Sequence, residues 1–156
     1  MTKILFIFVL VMSWISGAYG QTVTYKVDEQ IFEGYFVSPS VNAPLILLIH
    51  DWDGLTDYER KRSDMLVALG YAVFAVDLYG KGIRPTTRDE KLSLTKSLYL
   101  DRPKVRRYLS GALNAASNLG GNIDNAVAIG YCFGGAIALE LARSGAKLKG
   151  FVSFHG

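Results

Sequence analysis

The sequence predicts an α/β fold, a mostly parallel sheet with helices on both faces. Three observations carry that expectation. Short apolar runs at Pro44 to Ile49, Tyr71 to Val76, Asn125 to Ile129 and Lys149 to Phe154 have the pattern of strands buried on both faces. Longer stretches opened by helix-capping signatures lie between them. The chemically distinctive residues fall just after the apolar runs, where open parallel sheets bind their ligands.

Taken in order, Thr22 to Asp28 and Ile31 to Val37 alternate apolar and polar residues around Glu29-Gln30, which predicts a β-hairpin. The run Pro44 to Ile49 follows, then a loop from His50 to Leu55. Thr56-x-x-Glu59 is a capping box that opens a helix to about Leu69, and Gly70 ends it. After the strand Tyr71 to Val76 comes a glycine-rich loop, Asp77 to Pro85. Thr87-x-x-Glu90 opens a second helix toward Tyr99, and Asp101 with Pro103 opens a third to about Leu119. The strand Asn125 to Ile129 leads into a helix from Phe133 to Ser144, and Lys149 to Phe154 is the last strand. The strand ends therefore present His50-Asp51, Asp77-Leu78-Tyr79, Tyr131-Cys132 and His155-Gly156.

The 156 residues suffice for one domain. Half are hydrophobic and a fifth are charged, a globular composition. The net charge is +3, and the basic residues are scattered apart from Arg102, Lys104, Arg106 and Arg107. A nucleic-acid partner is not expected, because that needs a denser basic face with exposed aromatics. Residues 1–20 read as a signal peptide. Lys3 is followed by an apolar run from Ile4 to Ile15 and by small residues, with Ala18 and Gly20 where a signal peptidase reads. The apolar run is shorter than the roughly 20 residues a membrane span needs. Export to a periplasmic or extracellular space, with no membrane anchor after cleavage, is the expectation, and residues 21–156 form the domain. In an oxidising compartment the single cysteine, Cys132, has no internal disulfide partner.

Gly130-Tyr131-Cys132-Phe133-Gly134-Gly135 has the form of a nucleophile elbow, with Cys in place of Ser, between a predicted strand and a predicted helix. Gly130 and Gly134 answer the crowding of backbone in such a turn, and Gly135 lets the helix pack close. A helix amino terminus favours a thiolate, and the same backbone N–H groups can hold an oxyanion. The expected donors are the Phe133 N–H, just after the nucleophile, and the Trp52 N–H of the loop after the first buried strand. A fixed buried cysteine is the structural alternative, and an oxidation-sensitive thiol is another, though no resolving cysteine is present.

With the elbow, His50-Asp51-Trp52-Asp53-Gly54-Leu55, Asp77-Leu78-Tyr79-Gly80-Lys81-Gly82 and Ser153-Phe154-His155-Gly156 together resemble the dienelactone hydrolase family of the α/β-hydrolase superfamily, from about Tyr25 onward. The resemblance implies a Cys-His-Asp triad that hydrolyses small lactones or carboxylic esters without a cofactor or metal. It makes Cys132 the nucleophile and Trp52 and Phe133 the oxyanion donors. Asp51 falls where the family usually has a Glu that contacts the resting thiol. Lys81 falls near an Arg used toward a substrate carboxylate, with Tyr79 as a pocket wall.

The acid and the base of this fold follow the nucleophile in sequence. After Cys132 the only carboxylate side chain is Glu140, roughly 12 Å along the helix at 1.5 Å per residue, and it cannot orient a base there. His155 is expected to line the pocket, His50 to shape the oxyanion loop and Asp77 to cap its own loop. The chain reads as the amino-terminal part of a longer hydrolase, whose carboxyl-terminal part is missing and whose Asp and His lie beyond Gly156. The competing reading is a catalytically inactive remnant or binding module on the same scaffold. The last strand is expected to show an open edge and an apolar face. The oligomeric state is not legible.

Overall fold

The computed structural model describes residues 20–156, so all but the last residue of the expected signal peptide lies outside the described residues. The sheet has six strands: β1 (Gln21–Val27), β2 (Gln30–Val37), β3 (Pro44–Ile49), β4 (Ala72–Val76), β5 (Asn122–Tyr131) and β6 (Gly150–Phe154). Their spatial order is β1-β2-β4-β3-β5-β6. The hairpin β1–β2 joins β4 antiparallel, while β4, β3, β5 and β6 run parallel. The central position of β3 follows from its composition. Leu45, Leu47 and Ile49 face one side and Ile46 and Leu48 the other, and all five are buried.

Four helices complete the fold: α1 (Asp57–Val67), α2 (Arg88–Leu100), α3 (Arg102–Asn118) and α4 (Phe133–Arg143). Both predicted capping boxes form. The Thr56 N–H donates to Glu59 Oε2 at 2.8 Å, and the Thr87 N–H donates to Glu90 Oε2 at 3.0 Å. Asp101 caps α3 by accepting the Lys104 N–H at 3.0 Å, with Pro103 in the first turn, where its missing N–H costs nothing. One face of the sheet packs on α3 and α4 through Val105, Leu109, Ala112, Ile137, Ala138 and Leu141. The opposite face packs on α1 through Leu66 and Val67.

Two expected strands need correction. β5 begins at Asn122 rather than Asn125, and a register shift at Pro44/Leu45 accommodates the extra length. Neither β5 nor β6 is buried on both faces. Ala126 and Ala128 are covered by α4, but Val127, Ile129 and Tyr131 on the other face are half-buried. On β6, Val152 is 38% and Phe154 46% exposed. An apolar run records that a strand packs, not how many faces are covered. Here α1 lies over β4 and β2, and among the described residues no helix covers the same face of β5 and β6.

Candidate active site

Four strand ends meet at one rim of the parallel sheet, and the elbow stands among them. Cys132 joins β5 to α4 with φ 51° and ψ −116°, a conformation that a non-glycine residue holds only when its surroundings impose it. The surroundings do so from both sides. The Cys132 N–H donates to Phe154 O at 2.8 Å, tying the elbow to β6. The Cys132 carbonyl accepts the N–H groups of Gly135 at 2.9 Å and Ala136 at 3.3 Å, which starts α4. A Cβ on Gly130 would lie 1.9 Å from Gly134 O, and one on Gly134 would lie 2.4 Å from the carbonyl oxygens of Ile49 and His50. The turn closes only because both positions lack a side chain. The Cys132 side chain is left exposed.

Unlike the other three helices, α4 has no side-chain cap. A helix start leaves its first N–H groups without intrahelical partners. Among the described residues the Phe133 N–H donates no hydrogen bond, and neither does the Trp52 N–H. Both N–H groups are therefore unspent among the described residues, and the positive end of the α4 dipole lies behind the first.

The loop that carries Trp52 is braced by bonds from several directions. Asp51 accepts the Asp53 N–H on Oδ1 at 2.7 Å, an Asx turn, and its hydrogen bonds do not include the Cys132 thiol. His50 is wholly buried. Its Nδ1 lies 2.5 Å from Asp51 O, and its Nε2 accepts the Leu78 N–H at 3.2 Å. Burial lowers the His50 pKa, so the ring is neutral, as an acceptor Nε2 requires. Tyr79 donates its hydroxyl to Trp52 O at 3.0 Å, and its ring stacks 6.1 Å from Phe133. Burial, and then the charges of Asp51 and Asp53, raise the Tyr79 pKa and keep that hydroxyl protonated.

Asp77 anchors the next loop. Its buried carboxylate accepts N–H groups from Tyr79 at 3.0 Å, Gly80 at 3.1 Å and Glu33 at 3.1 Å. This is the loop-capping role the sequence suggests.

Trp52, Tyr79, Phe133 and Cys132 come together at the rim. Lys81 does not join them. Its N–H donates to Ile31 O at 2.9 Å and its ammonium reaches Thr24 Oγ1 at 3.4 Å, on the edge strand β1. That edge is four strands from β5, about 19 Å at 4.8 Å per strand. The glycine-rich loop folds back onto the hairpin, and the expected place of Lys81 beside a substrate is not the one observed. His155 is exposed at φ 58°, one residue past the Phe154 carbonyl that holds Cys132, and makes no hydrogen bond to it among the described residues. Glu140 is occupied by arginines, with Arg106 Nε at 2.8 Å and Arg102 and Arg143 each at 3.6 Å.

Two further residues belong to this rim. Tyr99, at the end of α2, sets its ring edge-on to Phe133 at 5.3 Å. Its pKa is raised by burial and by the nearby Cys132. Lys91 of α2 pairs with the Asp53 carboxylate and lies 5.5 Å from the Trp52 ring centroid. Sequence reasoning places both on a helix, and no local signal says that this helix folds over the loop that carries Trp52. Among the described residues no cluster of His, Cys, Asp and Glu could hold a metal ion, and no helix is long and apolar enough to cross a membrane.

The sequence pattern of the dienelactone hydrolase family matches residues 32–156. Carboxymethylenebutenolidase 1 of Cupriavidus pinatubonensis is 27% identical over 120 residues, covering 71% of this chain and 50% of that protein. A relative from Aquifex aeolicus is 27% identical over 128 residues, covering 79% of this chain and 55% of that protein. The chain thus spans about half the length of the curated relatives it matches. Among solved structures, a dienelactone hydrolase-like promiscuous phosphotriesterase from metagenomic libraries matches with a TM-score of 0.83 and 33% identity, over 90% of this chain and 60% of that one. A dienelactone hydrolase from Anabaena variabilis shares the fold at 22% identity, with a TM-score of 0.57, over 84% of this chain and 60% of that one. With the family pattern running through most of its length and the six-stranded sheet matching these structures, the chain belongs to the dienelactone hydrolase family.

Proposed function

We propose that this chain forms the nucleophile and oxyanion side of a hydrolase of small lactones or carboxylic esters, with Cys132 as the nucleophile. The observation that carries the reading is the exposed Cys132 side chain, held at positive φ on an uncapped helix start, with the Phe133 and Trp52 N–H groups unspent. Membership of the dienelactone hydrolase family supports the same reaction class.

The chemistry follows from the groups present. The Cys132 thiolate adds to the acyl carbon, and the carbonyl π pair moves onto oxygen. The resulting oxyanion accepts hydrogen bonds from the Trp52 and Phe133 N–H groups, which are fixed before the reaction begins. Collapse re-forms the carbonyl, breaks the bond to the alkoxy oxygen and leaves a thioester on Cys132. The leaving oxygen takes up a proton. Water then adds to the thioester and releases the acid and the thiol. In a lactone the leaving alcohol stays attached to the acyl group. The aromatic wall of Tyr79, Phe133 and Tyr99 favours a compact, partly apolar acyl group. The reading assigns no base, because among the described residues neither histidine bonds to Cys132.

That same observation favours a second reading, a non-catalytic binding scaffold. Kinetics on the intact protein separate the two. Cys132→Ala is expected to lower kcat for simple lactones and aryl esters by at least about a thousandfold, with the melting temperature retained. Undiminished hydrolysis in that variant, or none in the wild type, would contradict the enzymatic reading.

A further inference from the structure

The buried histidine at the end of β3 has a geometry that a merely structural residue does not need. In a trans peptide the C=O and N–H lie in one plane and point in opposite directions. The carbonyl of Asp51 and the N–H of Trp52 belong to the same peptide, and the described chain has no cis bonds. Whatever grips Asp51 O therefore sets the direction of the Trp52 N–H, the proposed oxyanion donor. The group that grips it is the His50 ring, with Nδ1 at 2.5 Å, supplemented by a long bond from the Gly54 N–H at 3.4 Å.

The other ring nitrogen fixes which proton His50 carries. Nε2 accepts the Leu78 N–H at 3.2 Å, so it bears no hydrogen, and Nδ1–H must be the donor to Asp51 O. The ring is wholly buried, 4.8 Å from the Tyr79 ring and 6.0 Å from that of Phe133. Asp77, Asp51 and Arg84 are the charges that act on it, and burial outweighs them in keeping it neutral. The His50 backbone carbonyl meets the other half of the site, since it lies 2.4 Å from where a Gly134 side chain would begin. One residue thus touches the oxyanion loop, the β4 loop and the first turn of the elbow helix.

We propose that His50 is a positioning residue for catalysis. Its neutral Nδ1–H tautomer locks the Asp51–Trp52 peptide so that the Trp52 N–H faces the acyl oxygen, and the bond to the carbonyl polarises that N–H toward the oxyanion. This rests on the proposed assignment of Trp52 as donor and Cys132 as nucleophile.

Two substitutions in the intact protein divide the role of the ring. In His50→Asn the amide can place a donor near the position of Nδ1 and loses the Leu78 contact. In His50→Gln it can reach the position of Nε2 and loses the grip on Asp51 O. Both lose one buried bond, so both are expected to lower the melting temperature similarly. His50→Gln alone is expected to lose about ten- to a hundredfold in kcat, with KM within about twofold, and His50→Asn to stay within about threefold of wild type. Equal loss of kcat in both variants, or no loss in His50→Gln while hydrolysis still depends on Cys132, would overturn the positioning role alone. Hydrolysis in the wild type that does not depend on Cys132 would overturn the functional reading and this one with it. Nitrogen-15 NMR of the wild type needs no variant to fold. His50 is expected as the neutral Nδ1–H tautomer at neutral pH. An Nε2–H or charged ring at neutral pH would overturn the proposal.

Discussion

The two sides of the elbow are built differently. On the β3–β4 side, every loop that approaches Cys132 is tied by buried polar side chains. His50 joins Asp51 to Leu78, Asp77 gathers three N–H groups, and Tyr79 reaches back to Trp52. On the β5–β6 side, the elbow is held to its neighbour by backbone bonds such as Cys132 N–H to Phe154 O. The side chains there, Tyr131 and Phe154, stack at 5.0 Å and remain partly exposed. Preorganisation of an oxyanion site requires groups that do not move when charge appears, and buried satisfied polar networks supply that rigidity. The braced side therefore suits the electrostatic part of the proposed reaction.

The contrast can be broken most severely where the two sides touch. Gly134→Ala puts a methyl group into the carbonyls of Ile49 and His50 and should cost about 3 kcal/mol, with loss of the elbow geometry. Denaturant unfolding measures it, and a change under about 1 kcal/mol would show that the contact relaxes easily.

A smaller effect separates the sides themselves. Tyr79→Phe removes only the hydroxyl that holds Trp52 O and should lower kcat about tenfold and the melting temperature by about 4 °C. His155→Ala, at the exposed end of β6, should leave the melting temperature within about 2 °C. Equal sensitivity of stability to the two substitutions would erase the distinction.

The subtlest test is pH. Burial depresses the His50 pKa, so the unfolded chain binds a proton that the folded chain refuses. Stability from this group is present above the unfolded value of about 6.5 and is lost as pH falls below it, by at most about 1.4 kcal/mol per pH unit. His50→Gln should remove that slope from the unfolding free energy. An identical slope in the variant would assign it to other groups.

Much of this was legible in the residues, because local signals encode local events. Thr56 with Glu59 and Thr87 with Glu90 announce helix starts, and the glycines around Cys132 announce a turn too tight for side chains. Signals that depend on what packs over an element were not legible. The apolar runs of β5 and β6 look like those of β3, yet no helix among the described residues covers their second face. Lys91 and Tyr99 look like ordinary residues of an amphipathic helix, and only the path of α2 brings them to Trp52 and Phe133. Lys81 turned toward Thr24 because its loop is stitched to β2 through Ile31, a long-range pairing that its neighbours in sequence do not record. The sequence puts His50 at the start of its loop, and the bonding of its two nitrogens depends on the β4 loop beside it.

The most direct test of the account is to trap the acyl group. Wild-type protein mixed with a slowly deacylating aryl ester, quenched and digested, should carry the acyl mass on the peptide that contains Cys132, in step with an initial burst of the phenol. The Cys132→Ala protein should show neither. An acyl group on another residue, or turnover by wild type with no burst and no modified Cys132, would contradict the central claim.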